Sequence, residues 1–148
     1  MNCQFCNTKI DEPVFDLGNT AVSNSLIKKD DFHKKETLYP LILYTCPECF
    51  LVQIEEQASS ENIFDDEYVY FSSLSSYWLK HAKDYSEEII SRLNLNKKSF
   101  VVEVASNDGY LLRNFVSKGI DCLGIEPTKS TAREAISKGV PTLIEFFN

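Results

Sequence analysis

Phe100-Val101-Val102-Glu103-Val104-Ala105-Ser106-Asn107-Asp108-Gly109 is the stretch on which the fold turns. Its first five residues form an apolar run broken only by Glu103, suited to a buried strand. The next five are small or polar and end in glycine, as a tight turn requires. Residues 110–117 then read as a short helix closed by Gly119. The rhythm repeats. A second strand is expected over 122–126, a helix over 128–138 capped by Thr128 or Ser130 and stopped by Gly139, and a third strand over 141–146.

Strand-helix alternation of this kind predicts a parallel sheet with right-handed crossovers. Such sheets normally need more strands to finish their ligand crevice, so residues 99–148 are expected to be the first half of a Rossmann-like domain. Its last strand, 142–147, should then present an unpaired edge and the rings of Phe146 and Phe147, inviting a second chain that completes the sheet.

Upstream, Leu74, Trp78, Ala82, Tyr85, Ile89 and Leu93 recur at gaps of three and four, the mark of one face of an amphipathic helix. Ser75 or Ser76 can cap its start, and the polar run 94–98 ends it. The first 50 residues differ in character. They are turn-rich, with strand-like stretches at 13–17, 38–44 and 50–54, and they hold two Cys-x-x-Cys steps, Cys3 with Cys6 and Cys46 with Cys49. The expected organisation is α/β: a small four-cysteine β module over 1–66, a linker with its helix over 67–98, and the half sheet over 99–148.

Two residues between thiolates let the backbone turn so that both sulfurs face one ion, and two such turns complete a closed tetrahedral shell of structural zinc. The alternatives are a redox Cys-x-x-Cys or four buried thiols acting as small hydrophobes. Segment 7–45 is longer than a compact zinc ribbon requires and must fold out and back. Cys122, within an apolar strand, reads as core, and His33 and His81 as surface or packing residues.

Composition narrows the partners. The chain has 148 residues, a formal charge of -7 and 43% hydrophobic content, so its average surface repels phosphate backbones; neither nucleic acid nor an anionic membrane is expected to bind it. Five cysteines, an odd number, and an N-terminus lacking a basic or apolar leader point to the reducing cytoplasm.

The turn 105–109 opens a helix, where backbone N–H groups are free to meet a ligand. Of the glycines of the dinucleotide fingerprint only Gly109 is present, and Asp108 would repel a pyrophosphate. A cofactor with a cationic or zwitterionic methionine part, S-adenosylmethionine, fits better. Glu126, at the end of the second strand, can accept both ribose hydroxyls. The alternative is an acidic helix cap beside an ordinary exposed glutamate.

Taken in order, the two cysteine pairs, Phe15-Asp16-Leu17-Gly18, Ser23-Asn24-Ser25-Leu26, residues 70–73, Ser106-Asn107-Asp108-Gly109 and Gly124-Ile125-Glu126-Pro127 resemble the sugar C-methyltransferases, in their N-terminal portion. The resemblance implies an N-terminal zinc domain ahead of a methyltransferase domain of Rossmann type. It implies that Ser106, Asn107, Asp108 and Gly109 line the methionine side of the cofactor, that Glu126 meets the ribose with Pro127 beside it, and that Tyr70 and Ser72 reach in from the linker. It further implies methylation of a carbon in a nucleoside-diphosphate keto-deoxysugar, with the acid/base residues expected beyond residue 148 and no useful turnover by this chain alone. The competing reading is a non-catalytic zinc-containing module that binds a nucleotide sugar or a protein.

Overall fold

The computed structural model describes residues 1–55, 57–65 and 68–147. The chain divides into two compact units, Met1–Ile63 and Phe64–Asn148. The boundary expected between residues 66 and 67 lies outside the described residues, as does Asn148. Among the described residues no helix is long and apolar enough to cross a membrane.

The first unit is built on an antiparallel sheet of β1 (Phe15–Thr20), β2 (Tyr39–Thr45) and β3 (Val52–Ile54), in that order, followed by one turn of helix, α1 (Ser60–Ile63). β1 runs past the expected stretch because a bulge between Asp16 and Asn19 breaks its apolar alternation without ending its pairing. Register pairs Tyr44 with Gln53, and this face of the sheet looks toward the cysteines. The opposite face carries Phe15, Leu43 and Ile54 across the three strands.

The second unit opens with α2 (Ser76–Arg92) and continues β4 (Phe100–Val104), α3 (Leu112–Val116), β5 (Asp121–Ile125), α4 (Lys129–Ser137) and β6 (Thr142–Leu143). The strands are parallel in the order β4-β5-β6. Its core gathers Leu112 and Phe115 of α3, Ile120, Cys122, Ala135 of α4 and Val140.

Ser75 caps α2, its hydroxyl accepting the N–H of Trp78 at 3.2 Å. The helix ends where Asn94 takes φ +54 and Leu95 N–H returns to Ile90 O at 2.9 Å, the hydrogen-bond pattern of a Schellman stop. Its inward face is rotated from the expected one. Ala82 and Ser86 are buried, whereas Leu74 and Leu93 are exposed. Ser86 belongs inside because its hydroxyl donates to Lys83 O at 2.7 Å, so that its burial leaves no unmet donor.

Two further differences concern the sheet. β6 is shorter than the expected 141–146: its partner β5 ends at Ile125, two residues before Pro127, and among the described residues 144–146 join no strand. And β4, as well as β6, lies at a rim of the described sheet, with Phe100, Val102 and Val104 exposed.

Candidate functional site

Each cysteine pair sits in the same backbone turn. Cys3 N–H donates to Thr8 O at 2.8 Å and Asn7 N–H to Cys3 O at 2.9 Å; in the second copy Cys46 N–H donates to Leu51 O at 3.0 Å and Phe50 N–H to Cys46 O at 3.1 Å. The residue after each pair, Asn7 or Phe50, takes a left-handed φ of 60° or 62°. For Phe50 this is a steric cost of order 1 kcal/mol, offset by the turn that brings its two sulfurs to one side.

The four sulfurs lie within 4.8 Å of one another. Cys6 Sγ is 3.4 Å from Cys46 Sγ and 3.5 Å from Cys49 Sγ, and Cys3 Sγ is 3.6 Å from Cys49 Sγ. These separations far exceed a disulfide bond. They approach the edge of about 3.8 Å that follows from four Zn–S bonds of about 2.3 Å in a tetrahedron. Charge argues the same way. The backbone N–H of Cys6 and then the Gln53 amide draw the Cys3 thiol down to about 6. The Leu51 N–H lowers the Cys49 thiol too, yet burial and the neighbouring sulfurs lift it to about 12. Four thiolates this close need a cation, and a soft closed shell of sulfur fits zinc, with no position left for a reacting water.

The second site is the turn after β4. Ala105 and Asn107 take left-handed φ values of 58° and 50° where a dinucleotide loop would use glycine. Asn107 is held by its own side chain: Oδ1 accepts Ser72 N–H at 2.9 Å and Nδ2 donates to Tyr70 O at 3.0 Å. Ser73 N–H donates to Asp108 Oδ2 at 3.3 Å, and Lys138 Nζ stands 3.5 Å from the same oxygen. Residues 70–73 therefore lie across the turn, and Ser106, Asn107, Asp108 and Glu126 are buried beneath them.

Glu126 reaches back from the end of β5, Oε2 accepting Asn107 N–H at 2.9 Å and Oε1 accepting Thr128 N–H at 3.0 Å. Thr128, expected to cap α4, makes no side-chain cap bond. Two glycines set the clearances. A Cβ on Gly124 would stand 2.4 Å from Ser106 Oγ, and one on Gly109, at φ +73, would stand 3.0 Å from Val140 Cγ2. The structure thus brings Ser72, Ser106, Asn107, Asp108, Gly109 and Glu126 into one cluster. Tyr70 joins through its backbone carbonyl while its side chain stays half exposed, and Pro127 follows Glu126 half-buried.

Three residues were not legible as site residues from sequence. Glu103 looked like a strand residue; burial first, and the charge of Glu126 second, raise its carboxyl to about 7. Lys138 pairs with buried Asp108 across 30 positions. Gln53, a polar break in an apolar run, contacts Cys3 Sγ. His81 stacks on Trp78 at 5.1 Å, as a packing histidine does.

Residues 3–64 match the Methyltransf_13 family, described as "Putative zinc binding domain", and the matched span contains all four cysteines. Over 141 residues the chain is 27% identical to C-methyltransferase NovU of Streptomyces niveus. This chain matches the N-terminal portion of a C-methyltransferase. The alignment covers 95% of this chain and 33% of NovU, so the chain spans about a third of that relative's length. Among solved structures, the crystal structure of MccD protein is 25% identical with a TM-score of 0.35, covering 47% of this chain and 28% of that one. The family match and the four-sulfur cluster agree on one chemistry, zinc binding by the N-terminal unit.

Proposed function

We propose that this chain binds S-adenosylmethionine on the turn after β4 and forms the front part of an enzyme that methylates a carbon of a nucleoside-diphosphate keto-deoxysugar. One observation carries the reading. The identity to a protein named as a C-methyltransferase extends over 95% of this chain, and so includes the β4 turn and Glu126 as well as the cysteine unit.

The polar chemistry of the turn supports it. Among the described residues Ser106 Oγ, Asp108 Oδ1 and Thr128 Oγ1 are buried without a hydrogen-bond partner, an arrangement that costs free energy unless a ligand or water completes it. Each Glu126 oxygen accepts one N–H and retains a second lone pair for a ribose hydroxyl. Buried Asp108, with Lys138 Nζ at 3.5 Å, suits a cationic ligand better than a pyrophosphate. In this reading Tyr70, Ser72, Ser106, Asn107, Asp108, Gly109, Glu126 and Pro127 form the cofactor set. The grip of Asn107 on residues 70 and 72 must loosen for entry, because those contacts lie across the turn.

When bound, the cofactor supplies the methyl group that a sugar carbanion would take. The chain's own residues contribute placement, which by itself lowers a barrier substantially. Proton abstraction beside a sugar ketone also needs a base of tuned pKa and a stabiliser for the oxyanion, roles this reading does not give to the cofactor set, so it assigns binding without turnover to this chain alone. The same reading gives it a nucleotide sugar as partner, a cytoplasmic setting and a further segment or chain that extends the sheet. The test is calorimetric titration of S-adenosylmethionine into the wild type, Asp108→Asn and Asp108→Ala. Micromolar binding lost in both variants is expected; no binding to correctly folded wild type would favour a non-catalytic module. Turnover of a keto-deoxysugar nucleotide by the purified chain would overturn the placement-only role.

A further inference from the structure

Gln53 is a buried amide on β3, outside both cysteine pairs, and its side-chain hydrogen bonds reach both cysteine turns. Its Oε1 accepts the backbone N–H of Gln4, inside the first turn, at 2.9 Å. Its Nε2 donates to Cys3 Sγ at 3.4 Å and to Leu51 O, just past the second turn, at 3.3 Å. Chemistry fixes this orientation. A backbone N–H can only donate, which places the amide oxygen toward Gln4, and a thiolate and a carbonyl can only accept, which places the NH2 group toward them.

The geometry points to Gln53 as a positioning residue of the metal centre: its N–H···S bond to Cys3 tunes that sulfur as a ligand and raises zinc affinity. The inference rests on zinc occupying the four-sulfur cluster. Four thiolates around a doubly charged ion leave excess negative charge, and a donor aimed at one sulfur disperses part of it while fixing the direction of the lone pairs that face the metal. Burial gives the bond its weight, because water has little access to Cys3 Sγ and would not replace a lost donor. Cys6 provides the contrast. Its sulfur has the Thr8 hydroxyl at 3.3 Å but lies at an exposed position, where water can take over.

The experiment uses the full chain with zinc, and with cobalt as a spectroscopic stand-in. Metal content of the wild type is measured first, so that absence of stoichiometric zinc, which would defeat the zinc assignment itself, is told apart from failure of the role of Gln53. Chelator competition is then run on Gln53→Glu and Gln53→Met, both close to glutamine in size and neither able to donate when the acid is ionised. Thr8→Val and Gln4→Ala are the comparisons, the latter losing only a side-chain bond to Ile54 O. Zinc affinity should fall about 10- to 100-fold in both Gln53 variants and little in the comparisons. The sulfur-to-cobalt charge-transfer band should move to lower energy in both, since an electron-rich thiolate is easier to oxidise. Affinity kept within about twofold, or weaker binding with an unmoved band, would overturn the proposal, the second result assigning Gln53 to folding alone.

Discussion

The backbone N–H of Asn107 and the carboxylate of Glu126 meet at 2.9 Å, a bond that fastens the turn after β4 to the end of β5. The same carboxylate holds Thr128 N–H, so a single buried side chain serves two backbone donors. Glu126→Ala removes both bonds and strands both donors, which should destabilise the second unit by about 2–4 kcal/mol. Urea melts followed through Trp78 fluorescence check this. An unchanged midpoint would mean that the carboxylate contributes nothing to the fold.

Gly124→Ala tests the clearance between strand and turn. The added methyl would stand 2.4 Å from Ser106 Oγ and 3.2 Å from Thr142 Oγ1, and β5 is flanked on both sides. The turn must then move, with an expected loss of about 1–3 kcal/mol and weaker S-adenosylmethionine binding. Thermal melting and titration on the same sample report the two effects.

Glu103 predicts a pH dependence. Burial, then Glu126, raises its carboxyl from 4.5 to about 7, so the folded chain holds a proton that the unfolded chain has released. Its contribution is complete below the unfolded value and is lost as pH rises through about 7. Glu103→Gln removes this slope. Relative to wild type the variant should gain on the order of 1–2 kcal/mol between pH 5 and pH 8, after allowance for the partly exposed position. Melts at the two pH values, taken as a difference between the proteins, isolate the effect.

Stripping the metal should melt the first unit. Among the described residues its buried apolar ones are Cys3, Ile10 and Cys46, and Phe15, Val52 and Ile54 remain exposed, so the cluster of sulfurs is its principal tie. Chelation, or Cys46→Ser, is expected to collapse amide protection across β1 and β2 in hydrogen exchange, with recovery on adding zinc to the chelated wild type alone.

Much of this was written locally. Paired cysteines with two intervening residues, and a valine-rich strand running into a polar turn, carry their meaning within ten residues of sequence. What stayed hidden depends on contacts between distant positions. Ser86 is absent from the apolar face read off the sequence, because its acceptor, Lys83 O, exists only once α2 has formed. Thr128 looked like a cap, but Glu126 is already aimed at that amide. Gln53 interrupts an apolar run for a reason that lies in the cysteine turn some fifty positions earlier. Strand order, too, is tertiary: the reading that left the last strand open could not show that β4 is a rim as well.

That rim has a thermodynamic consequence. β4 offers its outer backbone groups and the side chains of Phe100, Val102 and Val104 on the same strand that leads into the turn at 105–109. If the turn after β4 holds the cofactor as proposed above, a polypeptide that lengthens the sheet there would lie beside it. Under that proposal, recruitment of the polypeptide and capture of the small molecule would be linked equilibria, each tightening the other by the same factor.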